Sequence, residues 1–362
     1  MRRLKIFSDR NYIPNGMGHV MMLFPFWGEG HPQNGRFERY SEIGRSFFEM
    51  TSLEEADIAV MPVAWELVTN NDPAMDLAHE FAEKVKASGK RTIIFFWSDS
   101  DEEVPIDGTV VFRTSMYRSK RRTNEYAMPA WGDDFVAKYR EGRVLVREKG
   151  ETPIVGFCGY AAPLEPSFGW KLRTAASASA AILRERKMQA KGGPLTLGAT
   201  IRKEALRYLS QDNRVQTNFI IRDRFLAGAR LADGRVDLDT FSKAQFEYVQ
   251  NMIGSDYVLC ARGRGNFSYR LYETLSCGRI PIFVDTDCVL PYDFALNWAR
   301  HSVWVDAGEL SKISEKVVEF HDNLSPQKFK DIQRENRVFW ERWLSPEGFF
   351  TNLHKHFPSG RL

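Results

Sequence analysis

The chain has 362 residues, 43% of them hydrophobic, with a formal net charge of +3 at pH 7. That length suits two domains and a large core. So small a charge excludes a nucleic-acid binder, whose basic surface is usually far more lopsided, and fits a small anionic substrate.

Read in chain order, the sequence alternates strands and helices. Residues 4–8 read as a first strand, 40–48 as a helix, 58–62 as a strand, and 76–88 as an amphipathic helix stopped by Gly89. TIIFFW at 92–97 is a buried strand running into an acidic loop, and 109–113 is another strand. The glycine- and charge-rich stretch 141–153 marks a boundary between domains 1–150 and 151–362. A second series follows: strand 154–157, helix 170–187, a looser stretch with the turn Gly192-Gly193-Pro194, and helix 241–253. After residue 291 come a short strand at 303–305 and helices at 310–324 and 325–343. Such alternation predicts open, mostly parallel sheets, an α/β fold with ligands at the carboxyl ends of the strands.

Residues 256–291, DYVLCARGRGNFSYRLYETLSCGRIPIFVDTDCVLP, carry the most chemistry. An apolar strand is followed at once by Arg262-Gly263-Arg264-Gly265, where two glycines let the backbone approach a ligand closely. Asn266 or Ser268 can cap a short helix that ends near Cys277, with Gly278 as its stop. An anion at that helix start meets free backbone N–H groups, the positive dipole end and the guanidinium forks of Arg262 and Arg270. The pattern fits a sugar nucleotide diphosphate. Glu273 lies three residues after Arg270, on the same helix face, where it can reach ribose hydroxyls or simply pair with Arg270.

RGRGNFSYRLYETLSCGRIPIFVDTDCVLP resembles the signature of exostosin-like glycosyltransferases. MTSLEEADIAVMP at 50–62, IVGFCG at 154–159 and NRVFWERWLSPEGFF at 336–350 are similar to further elements of that family. The resemblance implies a GT-B architecture: two Rossmann-like domains facing across a cleft, with the nucleotide on the second and a closing C-terminal helix. It implies an inverting transferase that uses a UDP-sugar as co-substrate and needs no cofactor or metal. The acceptor would be an oligosaccharide or a lipid-linked saccharide, and the setting surface or capsular polysaccharide synthesis. A non-catalytic partner subunit and a transferase using another donor, such as GDP-fucose, are the rival readings.

An inverting transferase needs a base for the acceptor hydroxyl, expected on the first domain. Asp99 and Asp101, directly after TIIFFW, are the candidates, with Glu29, His19 and His31 as weaker ones. In a GT-B fold Arg173 would add a second phosphate contact, and Asp287 a donor-sugar contact. Asp285-Thr286-Asp287 and Asp99-Ser100-Asp101 imitate an Asp-x-Asp metal motif, but the arginines already supply the charge, so no metal ligand is assigned. Arg113 reads as a cleft residue, and Arg118-Ser119-Lys120-Arg121-Arg122 as a solvated basic face or a contact for an acidic acceptor. Cys158, Cys260, Cys277 and Cys288 lack CxxC spacing and read as reduced core thiols of a cytoplasmic protein. No transmembrane span or signal peptide is expected, and peripheral association with a membrane is compatible with the sequence.

Overall fold

The structure, a computed structural model, describes residues 3–28, 35–161, 196–222, 224–230 and 235–357. Its strands fall into two wholly parallel sheets. The first contains β1 (Leu4–Phe7), β2 (Phe48–Met50), β3 (Ile58–Val60), β4 (Thr92–Phe96), β5 (Thr109–Arg113) and β6 (Glu125–Ala127), in the order β2-β1-β3-β4-β5-β6. The second contains β7 (Ile154–Tyr160), β8 (Gln216–Arg222), β9 (Tyr257–Cys260), β10 (Ile280–Asp285) and β11 (Val303–Asp306), in the order β11-β10-β9-β7-β8. The α/β class and the two Rossmann-like units therefore hold.

Central strands are apolar on both faces because helices cover both. All five residues of β4 and all six of β10 are buried. In β9, Tyr257 and Leu259 enter one core while Val258 and Cys260 enter the core on the opposite face. The helices that matter below are α1 (Trp65–Val68) and α2 (Asp72–Ala87) in the first unit. In the second they are α3 (Thr196–Gln211), α4 (Leu238–Ile253) and α5 (Tyr269–Ser276). None of the helices among the described residues is long and apolar enough to cross a membrane.

Four expectations change. Residues 40–48 are not one helix: the helix ends at Ile43 and the chain extends into β2, an edge strand paired with β1. β6 and β8 are also edge strands that the sequence pattern left unassigned, and the looser stretch contains α3. The helix Pro326–Phe339 packs Phe329 and Ile332 into the core of the second unit, but the chain does not end there. The chain breaks at Ser345-Pro346, and the next helix buries Phe349, Phe350 and Leu353 in the core of the first sheet. Trp131 Nε1–H donates to Leu344 O at 2.9 Å and Tyr292 O–H to Phe349 O at 2.7 Å, fastening that return. Helix 170–187 lies outside the described residues.

The carboxyl edges of the two sheets face each other. Residues after β4 and β5 contact the loop after β9: Asp99 reaches Gly265, Ser115 reaches Asn266, and Tyr117 reaches Arg262.

Candidate functional site

The order β11-β10-β9-β7-β8 reverses between β7 and β9, and a crevice at such a reversal is where open α/β sheets bind ligands. Arg270 fills this point. Its Nη2 donates to Cys158 O of β7 at 2.8 Å and its Nη1 to Leu259 O of β9 at 3.4 Å. The guanidinium lies 4.4 Å from the Phe157 ring and 5.5 Å from the Tyr248 ring. Gly159 makes room for it: at φ +152° a Cβ would stand 2.7 Å from Arg270 Nη2. α5 starts one residue earlier. Ser268 is its N-cap in extended conformation, but its side chain makes no capping bond, so the cap role expected of it is not taken up. Leu271 N–H turns back to Ser268 O at 3.2 Å, which leaves the amides of Tyr269 and Arg270 for another acceptor.

Arg262 is buried. Its Nη1 donates to the Tyr117 hydroxyl and its Nη2 to Arg264 O, both at 2.8 Å. Arg202, on α3, completes a trio that the sequence did not reveal. Its Nη2 donates to Arg262 O at 2.9 Å and its Nη1 to Tyr160 O at 3.2 Å. Gly198, one turn earlier on α3, packs so closely on the loop that a Cβ would stand 2.3 Å from Gly263 O. Burial, and then the nearby Arg270 charge, lower the Arg202 pKa to about 10. Among the described residues the buried Nε of Arg202, Arg262 and Arg270 has no acceptor, and none of the three makes a salt bridge. An unpaired buried polar group costs about 1–3 kcal/mol, more when charged. Three cations held together at that cost, beside the first amides of α5, are an arrangement that can take an anion.

Glu273 lies one turn into α5. The Tyr248 hydroxyl donates to its Oε2 at 2.6 Å. Burial pushes the carboxyl up from its ordinary value, against the Tyr248 hydrogen bond and the Arg270 charge, which act the other way. Tyr248 on α4, not a direct ion pair, therefore links Glu273 to Arg270. From the first unit, Gly132 presses on the carboxylate, where a Cβ would stand 2.8 Å from Oε1. A carboxylate held there by its helix and by one hydroxyl can accept hydrogen bonds from a diol.

The glycine loop is gripped from the first unit. Gly265 N–H donates to Asp99 Oδ1 at 2.9 Å, and a Cβ on Gly265 would meet the Phe267 ring at 2.6 Å and Asp99 Cα at 2.9 Å. Gly263 N–H turns back to Phe267 O at 3.1 Å. Asn266 does not cap the helix. It is fully buried, takes Ser115 Oγ on its N–H at 3.0 Å, and donates from its amide to Met116 O at 3.1 Å. Asp287 is likewise occupied from the first unit: Ser119 donates to it from both N–H and hydroxyl. Asp285 accepts from Arg118 at 3.1 Å and from Cys288 N–H at 2.8 Å. Both carboxylates thus tie the two units together. Asp101 pairs with Lys120, whereas Asp99 stays on the rim beside the loop.

Arg113 is buried, not a cleft residue: it pairs with Glu125 at 2.9 Å and holds Ser100 O and Glu102 O. The basic run is spent on ion pairs as well, Arg118 with Asp285, Arg121 with Asp293 and Arg122 with Glu125. His19 contacts Gly28 O at 2.6 Å, away from the arginine trio. Arg173, Glu29 and His31 lie outside the described residues. All four cysteines are buried and free. Among the described residues no group of three His, Cys, Asp or Glu side chains is placed to hold a metal ion.

Residues 201–319, which run from within α3 past β11 into the helix Ile313–Asp322, match the family model of the exostosin GT47 domain. Relatives include Exostosin-1 of Drosophila melanogaster, 26% identical over 114 residues, and the Exostosin-1 homolog of Caenorhabditis elegans, 24% identical over 112 residues. These matches cover 32% and 31% of this chain, but only 14% and 28% of the relatives' own length. Two solved structures are distantly alike: TarM, at 10% identity and TM-score 0.31, and a glycosyltransferase from Rickettsia africae, at 11% and 0.36. They cover 79% and 89% of this chain and 58% and 80% of their own.

Proposed function

We propose that this chain, whose residues 201–319 match the exostosin GT47 domain, is an inverting transferase that moves a hexose or pentose from a UDP-sugar to a saccharide acceptor. The observation that carries this reading is the trio Arg202, Arg262 and Arg270, whose buried Nε–H groups lack acceptors among the described residues. The diphosphate sits at the reversal between β7 and β9, on these guanidiniums and the open amides of α5. Glu273 takes the ribose hydroxyls. As the bond from sugar to diphosphate breaks, charge grows on the leaving phosphate, and a cation preorganised there stabilises the transition state more than the ground state.

The same charge makes a bridging metal unnecessary in this proposal, because Asp285 and Asp287 already serve Arg118 and Ser119. The UDP-sugar is a co-substrate, and no cofactor is invoked. The acceptor is an oligosaccharide or lipid-linked saccharide, and the product a surface or capsular polysaccharide built on the cytoplasmic side, with peripheral membrane association. The pairing of Arg270 and Glu273 through Tyr248 favours a catalytic chain over a scaffold subunit, since a scaffold has no use for an unpaired cation trio.

Calorimetry tests the donor assignment. UDP should bind more tightly than UMP or GDP, and Arg270→Ala should weaken UDP by about 1.5–3 kcal/mol, the range for a hydrogen bond to a charged group. Equal affinity for UDP and UMP, or an unchanged affinity in the variant, would remove the arginine loop from the site.

A further inference from the structure

We propose that Glu66, on α1 of the first unit, is the general base that takes the proton of the acceptor hydroxyl. The proposal rests on the transferase reading and names the carboxylate that reading needs. α1 follows β3, so Glu66 lies at the carboxyl edge of the first sheet, the edge that faces the donor loop. Its Oε2 accepts from Trp97 N–H at 2.9 Å, at the end of β4. The same Trp97 donates from its indole Nε1 to the Tyr269 hydroxyl at 2.7 Å, the first residue of α5. Two residues further on, Asp99 holds Gly265. Glu66 therefore stands one peptide away from the contacts that join the first unit to the diphosphate-binding loop and helix.

Its surroundings suit the task. The facing side of α2 is apolar, with Ala74, Ala78, Phe81 and Ala82 buried, and β4 ends in buried Phe95 and Phe96. The charged groups on neighbouring elements already have partners: Asp9 pairs with Lys84, Asp99 accepts from Gly265, and Asp101 pairs with Lys120. Glu66 has no salt-bridge partner among the described residues, and it is neither fully buried nor fully exposed. Burial raises its pKa to about 7, against the hydrogen bonds from its own backbone and from Trp97. A base with a pKa near the working pH combines a large ionised fraction with useful proton affinity. Asp101, by contrast, is already paired with Lys120.

In the step, the acceptor oxygen loses its proton to the Glu66 carboxylate and bonds to the anomeric carbon from the face opposite the diphosphate. The bond from that carbon to the diphosphate oxygen breaks, and its electron pair leaves with the UDP. The products are the inverted glycoside, UDP and neutral Glu66, which returns its proton to solvent.

The test uses the full chain. UDP release is followed from pH 5 to 9 with UDP-glucose, UDP-galactose, UDP-N-acetylglucosamine and UDP-glucuronate, and with saccharide acceptors. Wild type should show a limb rising with pH near 7. Glu66→Gln, which keeps a hydrogen-bond acceptor for Trp97, should lower turnover by about 10²–10⁴-fold with its UDP affinity unchanged, and lose that limb. A variant within threefold of wild type, or one that keeps the limb, overturns the assignment. Melting gives a readout without turnover. A carboxyl whose folded pKa is raised costs stability as pH rises from the unfolded value of about 4.5 to about 7, so the variant should melt higher than wild type at pH 8 and alike at pH 4. Equal melting at both pH values also overturns it. Failure of UDP to bind wild type refutes the donor reading instead, and this one with it.

Discussion

Arg202→Met separates a ligand-binding cation from a structural one. In the free protein Arg202 contributes two hydrogen bonds, to Tyr160 O and Arg262 O, and removing them costs stability. Against this, its folded pKa of about 10 lies below the usual 12.5. The unfolded chain therefore holds the proton more tightly, and the full cost of the buried cation is present at pH 7, easing only as pH climbs through about 10. At about 1.4 kcal/mol per pKa unit, that cost is about 3 kcal/mol, comparable to the hydrogen bonds lost. The two effects nearly cancel, so the variant should melt within about 3 °C of wild type. The UDP complex has no such cancellation. Losing a charge-assisted bond to phosphate should cost about 1.5–3 kcal/mol, or about 10- to 150-fold in Kd. Differential scanning calorimetry with and without UDP reads both quantities in one series. A large drop in melting temperature with unchanged UDP affinity would make Arg202 a strut of the α3 packing and refute the trio.

Glu273→Gln should also weaken UDP and turnover, yet leave the free protein as stable as wild type, or more so at pH 8. Burial already disfavours its charged form, and equal UDP affinity by calorimetry would refute the ribose role. Asp287→Ala should lower the melting temperature by several degrees through loss of the Ser119 contacts, and manganese should not restore it. Transfer by wild type should persist in excess EDTA. Loss of activity that manganese restores would turn Asp285 and Asp287 back into metal ligands.

What could be read from the sequence was what is local. Arg262, Arg270 and Glu273 lie within a dozen residues of one another, between two unmistakable strands, so their helix and loop could be placed before any coordinates. Arg202, Tyr248 and Tyr117 could not, because the folding of separate βα units brings them to the loop across spans that spacing does not encode. A signal for Arg202 existed: Leu197, Ile201, Ala205, Leu206 and Leu209 recur at helical spacing, and a glycine opens that helix. The edge strands β2, β6 and β8 escape the pattern because β2 and β6 are only three residues long and β8 has no fully buried residue, so none shows a continuous apolar run. Asn266 and Asp287 are a different matter: their residue types suit ligands, but in this structure the first unit reaches across and occupies them.

That reach bears on how the enzyme would work. Arg262 is aimed by Tyr117, the loop is pinned by Asp99 and Ser115, and the strand after it is tied through Asp285 and Asp287, all from or to the first unit. The donor loop is therefore not a property of the second sheet alone. Its shape depends on residues that follow β4 and β5, and the same β4 exit carries Trp97, which Glu66 grips. A change in how the units sit would move the arginines and the carboxylate together. In the proposed mechanism, coupling of this kind would keep the base and the cation trio in register for one in-line displacement, at the cost of several interdomain hydrogen bonds that must form before either half is competent.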